Sequence, residues 1–142
     1  MTSGRRMICV LTAALALFVV GGVFHLGVPA VAPGLPPQYA DPALFRPWAG
    51  WTRAYMLIHP LWFGAVFAAA YLVLQSRGAL PLGWRGGLLY GLGVFAVGGL
   101  PVYLLAFASF RVSTQIIASW VAQAACQYLV AGAAVGAVAG RA

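Results

Sequence analysis

Four long apolar stretches, separated by short polar segments, dominate the chain. About 20 residues of apolar helix cross a bilayer core that is about 30 Å thick. The stretches that reach this length cover residues 7–26, 54–74, 87–110 and 113–140. None alternates between apolar and polar residues as a barrel strand does, so each is expected to be helical. The pattern predicts an all-α integral membrane protein, a single domain over residues 1–142 whose four transmembrane helices form a compact bundle.

The composition agrees with a membrane protein. Hydrophobic residues make up 63% of the chain and charged residues 6%, and Asp41 is the sole carboxylate side chain. A soluble domain carries about a quarter charged residues, so that class is excluded. The net charge of +7 comes from eight arginines, most of which lie at the ends of the apolar stretches. This placement indicates contact with lipid headgroups and predicts no nucleic-acid partner.

The arginine positions predict the orientation. Five are expected on the cytoplasmic side: Arg5, Arg6, Arg77, Arg85 and Arg141. Three are expected outside: Arg46, Arg53 and Arg111. The positive-inside rule then places both termini in the cytoplasm. Abundant Ala, Gly and Arg without Lys is typical of bacteria, so the predicted location is the bacterial inner membrane. A cleaved signal peptide ending at Ala30-Val31-Ala32 is the alternative, but Pro33 would directly follow the cut, which disfavours it.

A loop rich in proline and aromatic residues, residues 28–52, joins the first two helices on the predicted outer side. It holds six of the nine prolines, which favours an extended and stiff segment. Asp41 and Pro42 suit the N-cap and first position of a short helix through Phe45. The loop and the start of the second long helix also hold aromatic residues suited to the headgroup layer: Tyr39, Phe45, Trp48, Trp51 and Tyr55. An interfacial loop is favoured over a substrate-recognition loop.

Polar side chains recur every fourth residue through the last helix. This polar stripe consists of Arg111, Gln115, Ser119, Gln123 and Gln127. Successive members are offset by about 40° around the helix, so neighbours share a face. Gln123 is expected about 15 Å deep, near the bilayer centre. The stripe predicts hydrogen bonds between helices, with a polar track for a small solute or ligand as the alternative.

Small residues predict where two helices touch. GxxxG spacings occur at Gly132, Gly136 and Gly140 in the last helix and at Gly87 and Gly91 in the third. Lipid provides little hydrophobic drive for association, so helices pack by close backbone approach through small residues. The spacing predicts a contact between the cytoplasmic ends of these helices within one chain, in preference to self-association.

Two histidines and two prolines suggest a polar cavity near the outer surface. Pro60 and Pro101 each remove a helix hydrogen bond and are expected to kink their helices. The candidate lining residues are His25, His59, Tyr55, Tyr103, Gln115 and Arg53. A haem or metal site on the histidines is the weaker interpretation, because no third ligand or spacing motif supports it. Cys9 and Cys126 form neither a metal-binding motif nor an expected disulfide, so we expect no cofactor.

No catalytic motif is present in the sequence. It has no Ser-His-Asp, HExxH, Walker or dinucleotide-binding pattern, and no Asp or Glu within a predicted helix that crosses the membrane. Proton-coupled transport commonly uses such an intramembrane acid. The favoured hypothesis is a non-enzymatic accessory or scaffold subunit, with the lipid bilayer and other membrane subunits as partners. A small transporter or channel using the outer cavity and the polar stripe is the alternative, and a membrane redox protein is a third.

Overall fold

The computed structural model describes residues 2–47 and 49–140. The expectations for Trp48 and Arg141 lie outside these residues. The helices are α1 (Ser3–Val31), α2 (Leu35–Tyr39), α3 (Trp51–Ser76), α4 (Trp84–Val94), a π-helical segment (Phe95–Gly99), α5 (Leu100–Ser109) and α6 (Thr114–Ala139). The described residues contain no strand.

Four helices are long and apolar enough to cross a membrane, as the hydrophobic pattern predicts. They are Ser3–Val31, Trp51–Ser76, Trp84–Ser109 and Thr114–Ala139, and the third comprises α4, the π-helical segment and α5. Large apolar side chains point outward along them, for example Leu26 and Val97, which are 80% and 81% exposed. Apart from tyrosine and cysteine, no residue with a polar or charged side chain within 2–47 and 49–140 is fully buried. An apolar exterior over an apolar interior suits helices surrounded by lipid.

Glycines bring α4 and α6 into backbone contact. A Cβ atom placed at Gly136 would lie 2.9 Å from the Cα atom of Gly87, closer than real Cβ atoms approach. A Cβ at Gly87 would collide with the backbone oxygen of Gly132, and one at Gly91 with that of Tyr128. Gly140 meets Gly83, just before α4, in the same way. The α4–α6 contact is therefore a glycine seam with no room for side chains.

α1 lies against both α3 and α6. A Cβ atom placed at Gly64 in α3 would lie 2.7 Å from the Cα atom of Ala14 in α1. At the start of α1, the Arg5 guanidinium donates to the backbone oxygens of Val138 and Ala139, at 2.8 and 3.1 Å. α1 is therefore antiparallel to its neighbours α3 and α6. We call the end that holds residues 3, 76, 84 and 139 the terminus end, and the end that holds residues 31, 51, 109 and 114 the loop end.

Aromatic rings fill the interior between the helices. Phe67 and Tyr71 of α3 are buried beside Tyr90 of α4, with centroids 4.7 and 5.4 Å from that of Tyr90. The Tyr90 hydroxyl donates to the backbone oxygen of Phe67 at 2.8 Å. The Tyr71 hydroxyl is buried and has no hydrogen-bond partner. The core therefore joins α3 to α4 chiefly through rings.

The loop between α1 and α3 differs from the expected extended segment. It contains α2, which begins with the Pro36-Pro37 pair in its first turn, where missing N–H groups cost no hydrogen bond. The helix expected from Asp41 through Phe45 is wrong. Asp41 instead caps a single turn, accepting the Ala43 N–H on Oδ1 at 2.8 Å and the Phe45 N–H on its backbone oxygen at 2.9 Å.

Pro101 lies two residues after the end of the π-helical segment. Proline lacks an N–H, and its ring crowds the carbonyl four residues earlier, here that of Val97. The Leu100 N–H bonds the oxygen of Phe95, five residues back, which inserts one extra residue into the turn. The irregularity expected at Pro101 thus takes the form of a π-helical segment.

Candidate functional site

The polar stripe begins at the loop end of α6 and turns toward α1. Arg111 and Gln115 are exposed, whereas Ser119, Gln123 and Gln127 are half-buried. Ser113 starts the helix as its N-cap, and its hydroxyl accepts the Ile116 N–H at 3.3 Å. Because the α-helical repeat is 3.6 residues, the stripe winds slowly around α6, and its deeper members meet a neighbouring helix.

Ser119 connects α6 to α2. Its hydroxyl donates to the backbone oxygen of Ile116 at 2.7 Å, so the Tyr39 hydroxyl is the donor in the 2.8 Å bond to Ser119. Tyr39 also packs on Phe45, which makes an edge contact with Trp120 of α6. The short helix in the loop is thereby held against the loop end of α6.

Gln127 connects α6 to α1. Its amide nitrogen donates to the backbone oxygen of Leu17 at 2.8 Å. The amide can approach because α1 has a glycine there: a Cβ atom placed at Gly21 would lie 2.9 Å from the Gln127 amide nitrogen and 3.6 Å from that of Gln123. Sequence reasoning missed Gly21, although a glycine within an apolar helix often marks a close approach.

Gln123 lies beside the same glycine but makes a weaker connection. Its side chain is half-buried and forms no hydrogen bond with another residue in the described part of the chain. The Gln127 amide therefore uses its hydrogen-bonding capacity to reach α1, whereas the Gln123 amide does not. This difference separates two members of the stripe that the sequence treats alike.

The histidines are not brought together by any contact between described residues. His25 is exposed near the loop end of α1. His59 is exposed on α3, and its ring lies between those of Tyr55 and Phe63 on the same helix, with centroids 5.9 Å away on each side. With Ala14 packed on Gly64, antiparallel helices place His59 about six residues, or about 9 Å, from the level of His25.

An aromatic column along α3 was not anticipated from the sequence. It consists of Tyr55, His59, Phe63, Phe67 and Tyr71, each ring four residues from the next. Phe63 stacks on Tyr128 of α6 at 5.4 Å, and Phe67 meets Tyr90 of α4. The column is exposed at the loop end and buried toward the terminus end. Its four-residue spacing was a usable signal, but in an apolar helix it gives no contrast in hydropathy.

The remaining predicted cavity residues are separated around the loop end. Tyr103 of α5 is half-buried and lies 6.4 Å from the Trp120 ring of α6. Arg53 is exposed in the first turn of α3, and Gln115 in the first turn of α6. Tyr55 contacts His59 on α3, whereas Gln123 and Gln127 of α6 both lie beside Gly21 of α1.

A groove at the loop end has a cavity volume of about 340 Å³. It is lined by Arg46, Trp51, Thr52, Tyr55 and Met56. The side chains of Trp51, Tyr55 and Met56 are 69%, 56% and 45% exposed. Apart from Arg46 the walls are largely apolar, so the groove combines one cation with an apolar floor.

Potential metal ligands are sparse. Residues 2–47 and 49–140 contain no group of three or more His, Cys, Asp or Glu side chains placed to hold a metal ion. Cys9 is buried in α1, Cys126 is exposed on α6, and both are free. Comparison of the chain with protein-family models, curated proteins and solved structures found no match.

Proposed function

We propose that this chain is a non-enzymatic accessory or scaffold protein of the bacterial inner membrane, built as a compact bundle of four transmembrane helices. Its terminus end, with both chain termini, faces the cytoplasm, and its loop end faces outward. The arginine distribution supports this orientation, because Arg5, Arg6, Arg77 and Arg85 belong to the terminus end. The partners are lipid and other membrane subunits.

The observation that carries the proposal is the use of polar side chains to connect helices. Gln127 bonds the backbone of Leu17, Ser119 bonds Tyr39, and Tyr90 bonds the backbone of Phe67. A polar group inside a membrane that is not committed to a structural bond is a candidate for a solute or ion pathway. Commitment of these groups within the chain favours a structural role.

Purification in mild detergent, followed by mass spectrometry of copurifying proteins, tests this proposal. A membrane protein that recurs in stoichiometric amount with the wild type supports an accessory role. A Gly136→Ile variant offers a useful comparison, because disturbance of the glycine seam is expected to weaken any partner contact that depends on the folded bundle. Recovery of the wild type with no recurrent partner, together with solute flux in liposomes, would refute the proposal.

A small transporter or channel is the second candidate, and Gln123 is the observation in its favour. Its half-buried amide near the middle of α6 lacks the bond that Gln127 makes. In a polar track, Gln123→Leu would place an apolar plug near the bilayer centre. Flux measured for wild type and Gln123→Leu in liposomes, beside melting curves, decides between the candidates. Lost flux with unchanged melting favours transport, whereas no wild-type flux favours the accessory role.

A further inference from the structure

The groove at the loop end is held in shape by its own hydrogen bonds. Gly50, with φ of 56°, turns the chain into α3, a backbone conformation that favours glycine. In the first turn of α3, the Thr52 hydroxyl accepts the Ala49 N–H at 3.1 Å and lies 2.7 Å from the Ala49 oxygen and 3.0 Å from the Pro47 oxygen. These contacts fasten Pro47 and Ala49 to the start of a long helix. The groove is therefore organised before any ligand arrives.

Arg46 forms no ion pair with any side chain of residues 2–47 and 49–140. Asp41 is the one Asp or Glu in the chain, and its Oδ1 accepts the Ala43 N–H. Arg46, Arg53 and Arg111 all belong to the loop end, so that end carries surplus positive charge. Arg46 is therefore available to an anion from outside the chain. A guanidinium group is suited to phosphate because its planar donors can bind two oxygens at once.

The walls of the groove restrict the kind of anion. Trp51 and Tyr55 are aromatic residues of the type found at membrane interfaces, and Met56 adds a flexible apolar surface. The groove lies at the end of a helix long enough to cross a bilayer, at the level where headgroups meet acyl chains. A free phosphate ion would gain nothing from these apolar walls. A phospholipid would use both the Arg46 charge, through its phosphate group, and the apolar walls, through its acyl chains.

The geometry points to a binding site for one anionic phospholipid, of the phosphatidylglycerol type. Arg46 binds its phosphate group, and the Trp51, Tyr55 and Met56 side chains cover its glycerol and the first part of an acyl chain. A zwitterionic phosphatidylcholine carries a quaternary ammonium group that the loop-end arginines repel. This inference rests on the membrane placement in the proposed function and is independent of the accessory or transport role.

The test compares lipid retention by purified, delipidated protein, using native mass spectrometry during titration with phosphatidylglycerol or phosphatidylcholine. The wild type is expected to retain one phosphatidylglycerol in preference to phosphatidylcholine. Arg46→Gln is expected to weaken phosphatidylglycerol retention about fivefold, the factor for one interfacial arginine. Met56→Ala is expected to weaken retention of both lipids. Arg77→Gln removes the same charge at the opposite end of α3 and is the matched control, expected to leave the first lipid bound.

Three outcomes would overturn the inference. The first is a wild type that shows no preference between the two lipids. The second is an Arg77→Gln variant that loses as much lipid as Arg46→Gln. The third is displacement of the bound lipid by inorganic phosphate. The lipid preference is measured on the wild type and so does not depend on how a variant folds. None of these outcomes bears on copurifying proteins or solute flux, so failure here is distinguishable from failure of the proposed function.

Discussion

Arg5, in the first turn of α1, donates a hydrogen bond of 2.8 Å to the backbone oxygen of Val138, in the last turn of α6. The last four carbonyls of a helix lack partners within it, and a cation near them also interacts favourably with the helix dipole. One side chain therefore satisfies the end of α6 and fixes it to the beginning of the chain.

Replacement of Arg5 by Gln is expected to lower the free energy of unfolding by about 1.5 to 3 kcal/mol, because charged hydrogen bonds to two carbonyls are lost. Thermal or denaturant unfolding in detergent measures the change. Arg6→Gln is the control, because this substitution removes the same charge and Arg6 is exposed. Equal losses in the two variants would indicate an effect of net charge and contradict the role of the Val138 contact.

Replacement of Gly136 by Ile is expected to separate α4 from α6, because Gly136 lies against the backbone of Gly87. The expected loss of stability is about 1 to 3 kcal/mol. Gly93→Ile is the matched control, since no atom lies within 4 Å of a Cβ atom at Gly93. A melting temperature unchanged by Gly136→Ile would show that the glycine seam does not hold these helices together.

Two tyrosines of the core should respond differently to loss of the hydroxyl. Tyr90→Phe loses the bond to the backbone oxygen of Phe67 and should cost about 1 kcal/mol. Tyr71→Phe removes a buried hydroxyl that has no partner, so stability should be unchanged or rise by up to about 1 kcal/mol. Each variant serves as the control for the other when thermal unfolding of both is measured under the same conditions. A comparable loss in Tyr71→Phe would reveal a bond to its hydroxyl.

The two glutamines near Gly21 should also differ. Gln127→Leu removes the bond to the Leu17 backbone and is expected to cost about 1 kcal/mol. Gln123→Leu is expected to cost less, because no such bond is lost. Melting curves of the two variants in one detergent provide the comparison. A larger loss for Gln123→Leu would mean that Gln123 is the principal link between α6 and α1.

Reporter fusions test the orientation. Fusions after Arg77 and at Ala142 are expected to report cytoplasm, and a fusion near Gly34 the outside, because arginine-rich ends stay inside. The contact between Arg5 and Val138 requires the beginning of α1 and the end of α6 to share a side. An outside signal from the fusion at Ala142 would therefore exclude the arrangement of four spans.

The long helices were predictable because solvation by lipid is a local property of the sequence. Inside a bilayer an apolar run of about 20 residues satisfies its backbone groups by forming a helix, and the four long helices match the runs found in the sequence. The contact between Gly87 and Gly136 was foreseeable for a related reason. Glycine spacing marks a surface where another backbone can approach, and the sequence holds two such surfaces near the same end.

Other features depend on partners that carry no signal in the sequence. Gln127 bonds a backbone oxygen, and every residue supplies one, so Leu17 could not be chosen in advance. The position of α2 was missed because prolines were taken to indicate an extended chain, whereas Pro36 and Pro37 occupy a first helical turn. His25 and His59 were expected to line one cavity, but the packing of Ala14 on Gly64 places them at different levels.

The π-helical segment divides the third span into halves with different neighbours. Before Phe95 the backbone is locked to α6 by glycines, whereas no residue of α5 is buried. One extra residue in a turn rotates everything beyond it by about 100° relative to an uninterrupted helix. The segment therefore sets the direction in which the exposed side chains of Val102, Leu105 and their neighbours point. A one-residue deletion between 95 and 99 would turn that face around the helix axis without changing a single side chain on it.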